Sequence, residues 1–236
     1  MYFDLNIKGK SYKEDLLILN EASNLKWDYI FLCYNDSNYD NALTYIDDLK
    51  NNFENLAIDL RCEISTNNVN HIRKVLNKYR DKSNCISVLG GDLKINRASC
   101  ENIKIDILSR PYFKRKDCGI NHVLAKEAFD NNVTIELCLK DILNSYLFQR
   151  SKLLMYFKEI IELHRKFNFP LIISSGGISS YDIKNPVDIS YFLKEIGLNS
   201  EEIENMICKY PKNIIDFNKD RENYIFKGVK KVEGFD

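Results

Sequence analysis

Segments with strand character alternate with segments of helical periodicity along almost the whole chain, and this alternation constrains the fold more than any other feature. Short runs rich in Ile, Leu, Val and aromatic residues, each bounded by turn residues or charges, predict seven strands. The predicted strands are Tyr2–Asn6, Tyr29–Cys33, Leu56–Ser65, Cys85–Leu89, Ile105–Leu108, Val133–Leu139 and Leu171–Ser174. Between the strands, apolar residues recur at helical spacing, as in Ile72, Val75, Leu76 and Tyr79.

Repeated strand–helix units predict an α/β protein with a parallel sheet, because parallel strands need a crossover between them. No linker, low-complexity stretch or internal repeat divides the 236 residues, so a single domain over residues 1–236 is expected. The favoured fold is an irregular, TIM-like (β/α) barrel of about seven strands, and an open doubly wound sheet is the alternative. Residues 199–236 are predicted to form a helical annex followed by a charged tail.

Several strands separate polar from apolar side chains. In the third predicted strand Asp59, Arg61 and Glu63 share one face, opposite the apolar residues. The first and sixth strands alternate in the same way and add four polar residues to this set: Asp4, Asn6, Thr134 and Glu136. Because helices cover the outside of a barrel with apolar contacts, we expect the polar set to face the lumen and form a buried ion-pair network there.

Carboxylates in the lumen also raise the hypothesis of a metal-dependent hydrolase. Two observations disfavour it: the chain has only three histidines, His71, His122 and His164, and Arg61 would repel a divalent cation. The sequence also lacks a nucleophile elbow, a P-loop and a dinucleotide-binding fingerprint. We therefore predict no catalytic residue and no metal site in this chain.

The seven cysteines are dispersed, with no C-x-x-C pair. This pattern is typical of free thiols in a reducing compartment rather than of a disulfide scaffold or a zinc site. The first residues do not resemble a signal peptide, and no apolar run is long enough to cross a membrane. A cytoplasmic protein with no membrane partner is expected.

Positive charge is concentrated in one part of a chain whose formal net charge is zero. Between residues 94 and 126 eight Lys and Arg residues face only three carboxylates. The segment Ser109–Asp117 combines four cations with two aromatic residues, a combination that binds phosphates and stacks bases. In a barrel, the loops after the fourth, fifth and seventh strands share one rim. Charge alone leaves open whether this rim binds RNA or is a solvated surface.

Long motifs in the same region are more specific. They are Leu89–Ala98, Asp106–Ser109 and Arg115–Ala125, together with Met1–Leu5, Ile172–Gly176 and Asp182–Pro186. These motifs resemble the archaeal ribonuclease P protein component 3 family, and the resemblance extends over nearly the whole chain. It implies a barrel similar to the PHP phosphoesterases but without an eighth strand. PHP relatives carry an H-x-H after strand one, where this chain reads Asp4-Leu5-Asn6-Ile7-Lys8.

The resemblance also implies a function. A protein of this family is an RNA-binding subunit of the ribonucleoprotein that removes the 5′ leader from precursor tRNA. Its partners are the ribonuclease P RNA, which holds the catalytic Mg²⁺, the precursor tRNA and a small RRM-like protein, in a heterodimer or heterotetramer. The protein itself holds no cofactor. The family's basic rim corresponds here to these residues: Lys94, Arg97, Arg110, Arg115, Lys116, His122 and Lys184. Arg97 and Arg115 are expected to contact phosphates, whereas His122 has either an RNA-binding or a structural role.

Three hypotheses therefore remain. The first is a non-catalytic RNA-binding subunit of ribonuclease P. The second is an autonomous metal-dependent phosphoesterase of the PHP type. The third is a scaffold whose basic rim binds protein rather than RNA, for instance through the acidic segment 28–63, which carries eight carboxylates.

Overall fold

A parallel sheet of seven strands organises the computed structural model, which describes residues 1–221, 224–226 and 229–230. The strands are β1 (Phe3–Lys8), β2 (Tyr29–Asn35), β3 (Ala57–Ile64), β4 (Ile86–Leu89), β5 (Ile107–Ser109), β6 (Thr134–Cys138) and β7 (Leu171–Ser174). Each strand pairs in parallel with the next strand in the chain. This sequential order confirms the seven predicted strands. It excludes the doubly wound alternative, in which the strand order reverses at a switch point.

Helices surround the sheet, most of them on its outer face. They are α1 (Tyr12–Asn24), α2 (Tyr39–Leu43), α3 (Ile46–Asn51), α4 (Val69–Tyr79), α5 (Leu93–Cys100), α6 (His122–Asp130), α7 (Leu139–Leu143), α8 (Leu147–Phe167), α9 (Pro186–Glu195), α10 (Ser200–Glu204) and α11 (Tyr210–Lys219). A 3₁₀ turn, Ser180–Asp182, precedes α9, and a π-helical turn, Asn205–Lys209, joins α10 to α11. None of the helices in the described part of the chain is long and apolar enough to cross a membrane.

The sheet curves until its edge strands β1 and β7 meet. The backbone N–H of Lys8 donates to the carbonyl of Gly177 at 2.8 Å. The backbone N–H of Ser175 donates to the Asp4 carboxylate, with N–O distances of 3.2 and 3.3 Å. A side chain thus supplies part of the bonding along this seam, and the structure is a nearly closed, irregular barrel as predicted.

The core has two layers. The outer faces of the strands pack against the helices through residues such as Ile30, Leu60 and Val88. A second cluster fills the lumen at the N-terminal ends of the strands and includes Phe3, Leu5, Tyr29, Phe31, Cys85, Ile107, Ile172, Ile214 and Ile215. Because the last two residues belong to α11, this helix closes the lower end of the barrel. The predicted helical annex is thus the floor of the lumen. After residue 221, the charged tail is described only in two antiparallel strands, β8 (Tyr224–Phe226) and β9 (Val229–Lys230).

Strand β1 departs from the predicted alternation. Its register with β2 shifts between Asp4 and Ile7. Leu5 packs in the lumen cluster, and the next side chain, Asn6, donates to Glu136 at 3.0 Å. The expectation that Asp4 belongs to the lumen network was therefore wrong. An irregular strand does not keep a strict two-residue period, and the carboxylate of Asp4 is bonded to the backbone at the seam instead.

Candidate functional site

The lumen above the apolar floor is filled by a neutralised charge network. Arg61 donates from Nη1 and Nη2 to the two carboxylate oxygens of Glu136 at 2.6 and 2.8 Å. Its Nε donates to Ser87 at 2.7 Å, and Nη1 also reaches the Leu5 carbonyl at 2.9 Å. Closer to the mouth, Lys8 Nζ donates to Glu63 at 2.6 Å. The predicted ion-pair network is confirmed for Arg61, Glu63 and Glu136, and Lys8 joins it although it was not among the predicted residues.

Electrostatics keep the central pair ionised. Burial on its own raises the pKa of the Glu136 carboxyl, but the adjacent Arg61 guanidinium outweighs burial and holds that pKa below 4.5. Burial likewise opposes the charge on Arg61, and Glu136 raises the pKa of its guanidinium well above the ordinary value. Both side chains are fully buried. Both shifts favour the charged forms, so the pair is held as a carboxylate and a guanidinium.

The side chains in the lumen do not fit a divalent metal centre. His71 bonds through Nε2 to Asp36 at 2.8 Å, and His164 bonds through Nδ1 to the Phe169 carbonyl at 2.6 Å. Both histidines lie on outer helices, α4 and α8. Among the described residues, no group of three or more His, Cys, Asp or Glu side chains is placed to hold a metal ion.

The loops that follow β4 and β5 form the basic rim beside α5. Asp92 caps this helix, accepting from the backbone N–H groups of Lys94 and Ile95 at 2.8 and 3.2 Å. The cap fixes the first turn, from which Lys94 is exposed. Arg97, one turn further, is 68% exposed, and its Nε donates to Glu101 at 2.7 Å. Such an exposed pair is weak and leaves the guanidinium open to a phosphate.

Asn96 joins α5 to the loop after β5. This buried side chain donates to the carbonyls of Pro111 and Gly119, both at 2.9 Å, and accepts from the Gly91 N–H at 3.0 Å. Gly119 has φ +76°, and a Cβ there would lie 2.0 Å from the Pro111 carbonyl oxygen. Our sequence reasoning missed the positioning role of Asn96. The available signal was a polar residue on the apolar face of a predicted helix.

Arg115 is partly used within the protein. Its Nε and Nη2 donate to Asp117 at 2.5 and 2.8 Å, and Nη1 donates to the Gly91 carbonyl at 3.1 Å. The next residue, Lys116, is exposed. His122 is exposed at the start of α6, which Asn121 caps by accepting from the backbone N–H groups of Val123 and Leu124.

Arg110 is bound by other side chains of the protein. Its Nε and Nη2 donate to Asp141 at 2.8 and 2.6 Å, and Asp141 also accepts from the Tyr112 hydroxyl at 2.9 Å. The guanidinium lies over the Phe113 ring, 4.3 Å from its centroid. Sequence reasoning did not single out Asp141, because a carboxylate in a short helix after a strand has no distinctive local pattern.

Lys184 stands apart from the other predicted rim residues. Its Nζ donates to the Tyr181 carbonyl at 3.0 Å, and its own carbonyl accepts from Trp27 at 3.1 Å. It follows β7, whereas the other six residues follow β4 and β5. The structure thus gathers six of the predicted positions on one side of the rim and leaves Lys184 elsewhere on it.

The lumen and rim together define a class, namely nearly closed, seven-stranded parallel barrels whose interior is ion-paired and whose rim is basic. The structure is similar to histidinol phosphate phosphatase from Lactococcus lactis, which was solved with zinc, L-histidinol and phosphate. The TM-score is 0.57 over 84% of this chain and 94% of that chain. At 9% sequence identity this similarity shows the fold alone.

Sequence comparison then identifies the family. Residues 1–223 match the family described as RNase P subunit p30. The chain is 38% identical over 231 residues to Ribonuclease P protein component 3 of Methanothermobacter thermautotrophicus, covering 97% of this chain and 94% of that protein. Against the Methanocaldococcus jannaschii protein of the same name it is 36% identical over 197 residues, 83% of this chain and 82% of that protein. The chain belongs to the RNase P subunit p30 family and is a ribonuclease P protein subunit.

A solved relative agrees with this assignment. The structure resembles a chain of an archaeal ribonuclease P determined with mature tRNA by cryo-EM, with a TM-score of 0.84 and 30% identity. The similarity covers 98% of both chains. It supports the ribonuclease P hypothesis over the autonomous phosphoesterase.

Proposed function

We propose that this chain holds RNA within ribonuclease P, through the basic rim, while the RNA subunit removes the 5′ leader from precursor tRNA. The observation that carries the proposal is a set of exposed cationic or hydrogen-bonding side chains on one side of the rim. They are Lys94, Arg97, Lys116 and His122. Asn96 ties the loops that bear them into one unit. Donors fixed in this way suit RNA phosphates, because little side-chain and loop freedom is lost on binding.

The proposal assigns the chemistry to the RNA, because the described residues hold no group of three or more side chains placed to bind a metal ion. The buried carboxylates Glu63 and Glu136 are both paired with cations. In the proposal Mg²⁺ is held by the RNA subunit, the protein carries no cofactor, and the complex works in the cytoplasm. Arg97 contacts phosphate directly in the proposal, whereas Arg115 does so only with the guanidinium edge that Asp117 and Gly91 leave free.

A protein contact is part of the proposal. At the junction of α7 and α8 four large apolar side chains are exposed: Leu143, Tyr146, Leu147 and Phe148. Leu147 is 90% exposed and Phe148 79%, and Leu147 has a left-handed backbone with φ 45°. A contiguous apolar surface of this kind supports docking of a partner protein. We assign it to the small RRM-like subunit, in a heterodimer or heterotetramer.

The test is reconstituted cleavage of precursor tRNA with the cognate RNA and partner protein. The variants are Arg97→Ala/Arg115→Ala and a matched control, Arg165→Ala. Arg165 is also an exposed arginine paired with a carboxylate, Glu202 at 2.6 Å, but it lies at the end of α8. We expect the double variant to need more Mg²⁺ or to cleave more slowly, and the control to match wild type. Loss of two phosphate contacts lowers the salt dependence of RNA binding by roughly two in slope.

Two results would overturn the proposal. Equal cleavage by the double variant and wild type at all Mg²⁺ concentrations would remove the rim from RNA binding. Hydrolysis of RNA or a phosphate ester by the protein alone with Mn²⁺ would move the chemistry into this chain. The partner contact is tested separately by size-exclusion chromatography with light scattering. Phe148→Ser is expected to release the small subunit without lowering the melting temperature, because exposed substitutions change stability little.

A further inference from the structure

The C-terminal mouth of the barrel opens into a cleft of about 490 Å³. Four cationic side chains line it, from three separate parts of the chain: Lys8, Arg110, Lys114 and Lys140. Asp141 is the single carboxylate among the lining residues. The cleft differs from the rim surface beside α5, since it lies over the lumen itself, between the ends of β1, β5, β6 and β7.

The cations of the cleft differ in how they are used. Lys8 and Lys140 are oriented by carboxylates outside the cleft, Glu63 at 2.6 Å and Asp182 at 3.0 Å. An ammonium group has three donors. Lys8 also donates to Cys33 Sγ at 3.4 Å and keeps one hydrogen atom for a further acceptor, whereas Lys140 keeps two. The Arg110 guanidinium, in contrast, donates from two nitrogens to the Asp141 carboxylate, so this side chain is held in place at the side of the cleft.

Lys114 differs from the other three cations in its exposure. It is exposed, and its Nζ lies 5.1 Å from the centroid of the Phe113 ring. Its backbone has φ 56°, the left-handed region that favours glycine. Such a conformation is strained for a residue with a Cβ, and strain of this kind concentrates at functional sites. Glycine would relieve the backbone but would remove the cation from the cleft.

Neutral donors face these cations. Asn144 and Gln149 line the cleft on the side of α7 and α8. Both are exposed, and their amides hydrogen-bond to no other side chain in the described part of the protein. Charged donors on one wall and amide donors on another suit the several oxygens of a single anion.

We propose that the barrel mouth binds a phosphate group, held by Lys8, Lys114 and Lys140, with amide donors from Asn144 and Gln149. The group is either a free phosphomonoester or a phosphate of an RNA strand that crosses the mouth. Binding involves no bond formation or cleavage. Lys114 also borders the groove at the start of α5, but the proposed rim contacts Lys94, Arg97, Lys116 and His122 do not line the cleft, so the inference does not depend on the RNA-holding role of the rim.

The test compares Lys114→Gly with Lys26→Gly in the full-length protein. Lys26 is the matched control because it is also an exposed lysine with a left-handed backbone, φ 63°, but lies between α1 and β2. Neither glycine substitution is expected to lower the melting temperature, because each relieves a left-handed backbone. The ligands are inorganic phosphate and AMP by calorimetry, and 5′-hydroxyl and 5′-phosphorylated single-stranded RNA by fluorescence anisotropy.

Lys114→Gly is expected to weaken binding of at least one ligand about tenfold, the effect of one lost charge-assisted contact, with Lys26→Gly unchanged. Lys114→Arg is expected to restore most of the affinity. Weakened binding of AMP, or of the 5′-phosphorylated RNA alone, assigns the cleft to a phosphomonoester. Equal weakening of both RNAs, with no AMP binding, assigns it to the RNA backbone. If Lys114→Gly and Lys26→Gly match for every ligand, the proposal is wrong. Precursor-tRNA cleavage by the rim variants is a separate readout, so the two proposals fail independently.

Discussion

Replacing Arg61 by Met would remove one half of the fully buried ion pair in the barrel lumen. The Glu136 carboxylate would lose both of its hydrogen bonds from Arg61. It would keep the hydrogen bond from the Asn6 amide at 3.0 Å. The Ser87 hydroxyl and the Leu5 carbonyl would also lose the guanidinium. A methionine side chain fills similar space but carries no charge, so the loss is mainly electrostatic.

The expected cost is large for this reason. Removing one partner of a buried pair destabilises a protein by roughly 3–5 kcal/mol, because the remaining charge stays buried without compensation. A domain of this kind has only about 5–15 kcal/mol of stability in total. Arg61→Met should therefore lower the urea midpoint severely at pH 7. The double variant Arg61→Met/Glu136→Leu removes both charges and should recover most of the loss.

Urea unfolding followed by circular dichroism measures the four corners of this double-mutant cycle. The control is the exposed pair Arg165–Glu202, for which loss of the arginine should cost no more than about 1 kcal/mol. A cost below about 1 kcal/mol for Arg61→Met, or a double variant no more stable than the single one, would contradict the argument. Either outcome would mean that the pair does not carry a buried charge.

Three further predictions follow from positioning residues. Burial raises the pKa of Asp4 to about 6 from 3.8, so its ionisation opposes folding: stability falls as pH rises from 3.8 to 6, then stays level. Asp4→Asn should therefore raise the free energy of unfolding at pH 8 by up to about 3 kcal/mol, with no gain at pH 3, measured by urea titration. Asn96→Ala leaves the Pro111 and Gly119 carbonyls without the Asn96 donor. The free energy of unfolding should fall by on the order of 2–4 kcal/mol, measured by thermal unfolding. RNA binding should weaken as well. Gly119→Ala should destabilise the same loop, because its Cβ would meet the Pro111 carbonyl oxygen at 2.0 Å; faster amide hydrogen exchange there would show it.

The strands were predictable because each is a short apolar run bounded by turn residues, and all seven appear where expected. The lumen pair was predictable in part, since Arg61 alternates with apolar neighbours. The identity of its partner was not, because Glu136 is 75 residues away and comes close only when the barrel curves. The irregular register of β1 has no local signature either, which is why the position of Asp4 was predicted wrongly.

The rim was likewise only partly predictable from the sequence. Sequence located the loops but not what ties them together: a buried amide, Asn96, crosses between α5 and the loop after β5. Residue type alone also could not separate Arg97, open to solvent, from Arg110, bound to Asp141. Partner choice among charged side chains depends on the tertiary positions of both groups.

The lumen cluster joins Phe3 of the first strand to Ile214 and Ile215 of the last long helix. A nascent chain therefore cannot complete its interior until almost all of it has left the ribosome. Until then, the apolar inner faces of the early strands have no floor and are open to water. Contacts between residues far apart in sequence slow folding, and the intermediates that form meanwhile are prone to aggregate. Synthesis of this subunit should accordingly depend on chaperones more than that of a protein assembled from local contacts.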